Sequence, residues 1–356
     1  MPRIEAKEME MKILRWEIAV IGFILPVLTV FLLVRPLQGA DISAKTMTEQ
    51  IQAGEKGTSP GGSPPGPFGD HWVQLQENST VDSYDSRIGP YDTSKGSEAR
   101  VGSNCDPADS TAGVTLDNNA VVKGDVSVTT PEGDGDITVA NNSTVTGSTS
   151  YDAPTWDLLP LTMPTWYTEL YGGPKGNIGG NPAENKNGGY WISNYNFRAY
   201  NNAEVTFHAG EYHFDTFELS NNVNFQIDPE IGADEIIEIY VTESIVFENN
   251  SELLPAIQFS GDSTKLRFYY DGTTKVDLSN NVEFYGFIYA PNAMIEVKNN
   301  DNIYGNLVGK EVKLWNNGGV HYDKALMDQD FGSIFTGGIP ANPHKREDWK
   351  EIIVSD

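Results

Sequence analysis

The chain contains a single cysteine, Cys105. An internal disulfide is therefore excluded, and stability has to come from a packed core. Basic residues are scarce as well. Lys and Arg total 24 against 50 Asp and Glu, a net charge of −26. A surface of that sign repels nucleic acid and anionic lipid headgroups, so no nucleic-acid partner is expected. It suits solvation outside the cell or loose binding of divalent cations. The chain also lacks a Cys-x-x-Cys, a His-Glu-x-x-His and a phosphate-binding glycine loop, which removes the sequence patterns of the common zinc and nucleotide sites.

What is present begins with one uncharged stretch, Ile18 to Val34, set between Trp16-Glu17 and Arg35. As a helix it spans roughly 26 Å, enough to cross a hydrocarbon core with its flanks. Pro26 is tolerable inside a membrane helix. Arg3, Lys7, Lys12 and Arg15 precede the stretch, and after Arg35 the next basic residue is Lys45. That asymmetry keeps the N-terminus inside and sends the body out. Residues 18–34 thus read as a membrane anchor. A cleaved signal ending at Gln38-Gly39-Ala40 and a pilin-like leader with Glu17 as its early acid are the competing readings. All three place the chain after about residue 40 across a membrane, at the cell surface.

The second feature is a repeated dipeptide. Asn-Asn begins at Asn118, Asn141, Asn201, Asn221, Asn249, Asn280, Asn299 and Asn316. Short alternating apolar runs flank most pairs, as in Leu219-Ser220-Asn221-Asn222-Val223-Asn224-Phe225. Apart from one gap of 60, neighbouring pairs lie 17 to 31 residues apart, a period that marks a solenoid in which each repeat is one coil. Asn tolerates the left-handed backbone region that a tight corner needs. Its amide can also bond the Asn of the next coil, forming a ladder. The expected fold class is all-β, a single-stranded β-helix with one N-terminal transmembrane helix.

The composition divides the chain into six parts. Residues 1–40 form the stub and anchor, and residues 41–70 are a Pro/Gly/Ser tether. Residues 71–150 hold the first β-repeats. Residues 151–189 are an aromatic and proline-rich insertion, with a short helix expected near Trp166 to Tyr171. Residues 190–326 carry the main solenoid of six coils, and residues 327–356 form a C-terminal cap or tail. The open strand edges at the two ends need covers, and the insertion and the C-terminal stretch are the natural ones.

Several segments carry a resemblance. Phe284-Tyr285-Gly286-Phe287-Ile288-Tyr289-Ala290-Pro291-Asn292-Ala293, Gly210-Glu211-Tyr212-His213-Phe214, Ile239-Tyr240-Val241, Gly305-Asn306-Leu307-Val308-Gly309-Lys310 and His321-Tyr322-Asp323-Lys324-Ala325-Leu326 occur in order. Over residues 190–326 the chain resembles an uncharacterised β-helical domain of bacterial surface proteins, often found behind PilX-type pilus-assembly segments. The repeats from Val121 to Gly147 faintly resemble bactofilin coils. The resemblance implies a surface role beside a pilus-like assembly and brings no catalytic residues.

Candidate chemistry is thin. His321 and Asp323 share one side of an extended segment, yet no nucleophile accompanies them, and catalysis needs a constellation. Their plainer reading is a hydrogen-bonded cap. Asp134 with Asp136, Asp228 with Glu230, and Asp234 with Glu235 are the carboxylate pairs a polysaccharide-cleaving β-helix would use. Asp134 and Asp136, or Asp106 and Asp109, could also hold calcium. No other cofactor is indicated. The favoured expectation is a non-enzymatic surface protein whose partners are pilus proteins, other surface proteins or polysaccharide. The alternatives are a carbohydrate-active enzyme and a self-polymerising scaffold.

Overall fold

The computed structural model describes residues 64, 66–105, 113–131, 137–161, 189–193, 196–229, 231–254, 261–331 and 334–337. The stretch 18–34, the tether up to residue 63, the expected helix near Trp166 and the tail after 337 lie outside them. No helix among the described residues is long and apolar enough to cross a membrane.

Strand dominates what is described. The first block holds β1 (Phe68–Leu75), β2 (Thr80–Tyr84), β3 (Ala99–Ser103), β4 (Val114–Leu116), β5 (Val121–Val122), β6 (Gly124–Val128), β7 (Ile137–Val139), β8 (Thr144–Val145) and β9 (Thr149–Ser150). β10 (Trp156–Leu158) follows. The second block holds β11 (Gly189–Ser193), β12 (Asn196–Tyr200), β13 (Glu204–Phe207), β14 (Gly210–Ser220), β15 (Asn224–Ile227), β16 (Ile237–Glu248), β17 (Glu252–Leu254), β18 (Leu266–Tyr270), β19 (Val276–Ser279), β20 (Glu283–Lys298), β21 (Asn302–Trp315) and β22 (Gly319–Asp323). β23 (Phe335–Gly337) closes the described chain. The tether is shorter than its composition suggested, because Phe68, Gly69 and Asp70 already belong to β1.

Pairing is parallel except for β11 on β12 and β10 on β23. In the second block each circuit of chain lies on the previous one. β12 pairs with β14, β14 with β16, β16 with β18 and β19, β18 and β19 with β20, and β20 with β21. This parallel, circuit-on-circuit arrangement is consistent with a β-helix-like fold. Alternation explains it: in β16 every second residue, Ile237, Ile239 and Val241, points into the core while Glu238 and Tyr240 point out. Pro291 is accommodated in β20 where the register to β21 slips between Ala290 and Met294.

The order of the blocks departs from the order of the sequence. β1 lies in parallel along β21, with Phe68 opposite Val308 and Leu75 opposite Leu314. β2 lies along β22, with Thr80 opposite Gly319 and Tyr84 opposite Asp323. β3 and β4 pair with the other edge of β1, and β6 and β7 lie beyond them. The first block of the chain therefore continues the stack after the last circuit of the second. The described part of the C-terminal stretch packs beside the join: Tyr289 donates from its hydroxyl to the carbonyls of Leu159 (2.6 Å) and Ile334 (3.1 Å), next to the β10–β23 pair. At the far end of the second block the edge of β12 is covered by β11.

One apolar core runs through both blocks. In the second block it is aromatic. Phe197 and Phe217 stack at 4.6 Å between ring centroids, Phe207 and Phe225 at 4.6 Å, and Phe217 meets Phe268 edge-on at 5.1 Å. In the first block it is aliphatic: Val73, Val81, Val101, Val114, Leu116 and Val126 are fully buried. Cys105 is buried as well.

Candidate functional site

Every Asn-Asn pair sits at a corner with both residues left-handed, φ between 48° and 69°. That conformation costs most residues about 1–2 kcal/mol and Asn less, because its short polar side chain bonds locally. A further corner of the same geometry is Glu77-Asn78, with φ of 55° and 63°. The amides then link circuit to circuit. In the row of second asparagines, Nδ2 of Asn222 donates to Oδ1 of Asn202 (3.1 Å), Asn250 to Asn222 (2.9 Å), Asn281 to Asn250 (3.0 Å), Asn300 to Asn281 (3.3 Å) and Asn317 to Asn300 (2.9 Å). Asn78 extends the row to Asn317 (3.3 Å), and Asn119 bonds Asn78 (3.2 Å).

The row of first asparagines is broken. Asn221 bonds Asn201 (3.4 Å), Asn249 bonds Asn221 (3.3 Å), Asn280 bonds Asn249 (3.1 Å), Asn299 bonds Asn280 (2.8 Å) and Asn316 bonds Asn299 (3.0 Å). Glu77 then takes the next position. Asn141 donates to Oδ1 of Asp117 (2.6 Å), which also accepts from the backbone N–H of Asn118. Asn118 and Asn141 therefore share a corner row with the other six but are held through a carboxylate.

After five of the pairs the next residue points inward: Ala120, Ala203, Val223, Ser251 and Val282 are buried there. At one corner it is Asp301, fully buried. Its carboxylate accepts from the backbone N–H of Val282 (2.7 Å) and of Lys298 (3.2 Å). Burial nonetheless pushes its carboxyl up to about 7.

The densest polar cluster lies where the blocks join. His321 faces Asp82, with Nδ1 to Oδ1 at 2.6 Å and both side chains under 10 % exposed. Asp82 Oδ2 accepts from the Tyr91 hydroxyl (2.9 Å) and from Lys123 Nζ (3.1 Å). Burial opposes ionisation of Asp82, but His321, Tyr91 and Lys123 hold its carboxyl below the ordinary value. The Tyr91 ring covers His321 at 4.0 Å and Tyr304 flanks it at 4.8 Å. Asp323 does not meet His321. Its Oδ1 accepts from the backbone N–H groups of Ser86 and Ala325, both at 3.0 Å, and its Oδ2 from the Ser263 hydroxyl at 2.8 Å. It caps the 3-10 turn Lys324–Asp328. Arg87 pairs with Asp85 and Asp328, and Lys324 with Glu98. Each of these bonds crosses from one block to the other, or braces a residue that does. Both Asp82 oxygens are occupied and the His321 ring is covered, so the cluster ties the two blocks together.

Of the remaining carboxylate candidates, only Asp228, Asp234 and Glu235 are among the described residues. Asp228 bonds His208, and Glu230 lies outside the described residues. Asp234 is exposed, while Glu235 accepts from the backbone N–H of Gly232 (2.7 Å). Asp106, Asp109, Asp134 and Asp136 also lie outside the described residues. Among those described, no group of three His, Cys, Asp or Glu could hold a metal ion.

Sequence reading missed Asp82, Tyr91 and the Glu77-Asn78 corner. A signal for the corner existed: Asn78-Ser79-Thr80-Val81 repeats Asn142-Ser143-Thr144-Val145 letter for letter. Nothing local marks Asp82, whose partner stands 239 residues away.

Residues 181–329 match a family described as "Domain of unknown function (DUF7305)". The match covers the second block and stops short of the first. It supports the resemblance to an uncharacterised domain and supplies no link to PilX-type proteins or to bactofilins. No curated protein and no solved structure matches the chain.

Proposed function

We propose that this chain is a non-enzymatic structural or interaction protein of the cell surface: a single-stranded β-solenoid carried on an N-terminal membrane anchor at residues 18–34. One observation carries the reading. Of the described histidine and carboxylates with a claim to chemistry, His321, Asp323, Asp228 and Glu235 make internal bonds and Asp234 stands exposed. What the chain repeats, circuit after circuit, is a load-sharing corner. In this reading the anchor fixes the base, the Pro/Gly/Ser tether gives reach, and the stacked circuits present long lateral faces to surface proteins, a pilus-like assembly or polysaccharide.

The test uses the native chain in its own cells. External protease on intact cells should remove the body and leave the 18–34 segment in washed membranes. Recovery of the whole chain from the soluble interior would sink the reading. Recovery in sheared filaments would move the protein to a pilus-like assembly.

A further inference from the structure

The two ends of the stack are finished differently. At the second-block end, β11 lies antiparallel on β12, and the last core rings, Phe197 and Phe207, are fully buried. At the first-block end, β7, β8 and β9 pair along one edge each, with β4, β5 and β6, and no other described strand pairs with them. Among the described residues, no strand covers the core layer there. Val139 stands in register with fully buried Leu116 yet is 44 % exposed, and Ile137 and Val145 are only partly buried.

Composition singles out the same place. Ile137 to Ser150 contains no Asp, Glu, Lys or Arg, although charged residues make up 21 % of the chain. Proteins that leave a strand edge bare protect it with charges, proline or bulges. This edge carries instead Ile137, Thr138, Val139, Thr144, Val145, Thr146 and Thr149, β-branched residues that favour pairing. A chain of net charge −26 repels its own copies over most of its surface. The neutral end is where two copies meet without that penalty.

We propose that this end binds a second copy of the same chain through the same strands, related by a twofold axis. Such a contact sets β7 and β8 antiparallel to themselves and seals Ile137, Val139 and Val145 into one continuous core. A self-complementary contact closes at two copies. The opposite end, where the last core rings Phe197 and Phe207 are fully buried, offers no comparable open apolar layer. The inference does not depend on the membrane anchor.

The full-length chain in mild detergent tests it by light scattering after size exclusion, together with crosslinking. Wild type should have twice the chain mass. Val139→Lys combined with Thr144→Lys should return it to a single chain mass, with an unchanged β-type circular-dichroism spectrum. Thr138→Cys in a Cys105→Ser background should oxidise to a dimer band and nothing larger. A wild-type monomer at its highest soluble concentration, a dimer unmoved by the two lysines, or a ladder of larger bands would each overturn the proposal.

Discussion

The core of the second block is rich in phenylalanine rings packed on one another, whereas that of the first is mainly valine. Both turn on the same left-handed corner. Corner-to-corner separations in the second block run from 17 to 31 residues. In the first, Asn78 and Asn119 are 41 apart because residues 85–98 leave the stack to brace the join. The comparison separates two roles. The corner fixes alignment between circuits, and it works the same whatever lies inside. The core fixes how much each circuit contributes. Burying a Phe or Val side chain is worth about 1.5–3 kcal/mol, at the upper end for Phe, and the rings add about 0.5–1.5 kcal/mol per pair. The block with the larger contribution is also the one that the family match covers.

The sharpest break should come from Gly305. Its φ is +142°, and a Cβ there would sit 1.8 Å from the backbone oxygen of Gly286. Gly305→Ala should cost about 3 kcal/mol or more, visible as loss of cooperative unfolding in denaturant. Phe217→Ala should cost about 3–5 kcal/mol, and Val126→Ala roughly half as much. Equal costs would show that the aromatic core carries no extra weight.

The join is the next place to separate the blocks. His321→Ala leaves Asp82 charged and 1 % exposed without its main partner, at a cost of roughly 3 kcal/mol. Urea unfolding should then split into two transitions, the valine block melting first. A single transition would mean that the remaining clasp suffices.

The two blocks should also respond to pH with opposite sign. Asp82, held below its ordinary 3.8, contributes stability that is present above about pH 4 and lost as pH falls. Asp301, raised to about 7, contributes stability that is present below about pH 4 and lost as pH rises toward 7. Asp301→Asn should flatten the decline between about pH 4 and pH 7. An unchanged slope would show that Asp301 stays ionised there.

The smallest effects belong to the corners. Asn281→Ala removes two amide bonds and a residue suited to positive φ, costing about 1–2 kcal/mol. Asn281→Gly keeps the conformation and should cost less. If the two cost the same, the ladder rather than the backbone carries the corner.

Much of this architecture was legible before any coordinates. Eight of the corners announce themselves as Asn-Asn, because few residues accept two successive left-handed conformations without strain. Strands followed from alternating runs such as Ile237 to Val241, in which side chains take turns facing in and out. Local chemistry dictates such features, so a single stretch of chain reveals them. The Glu77-Asn78 corner escaped because one letter of the pair had changed, and Asp82 escaped because its partner His321 stands 239 residues away.

Tertiary structure alone decided the order of the blocks. A strand edge offers the same N–H and C=O groups to any strand of matching length, so local sequence does not say which circuit comes next. Here the answer rests on contacts made at a distance: Phe68 opposite Val308, Asn78 bonded to Asn317, and Asp82 bonded to His321. The residues between the blocks leave enough chain for the first block to dock behind the second. That docking, and not the succession of repeats, makes the two cores one.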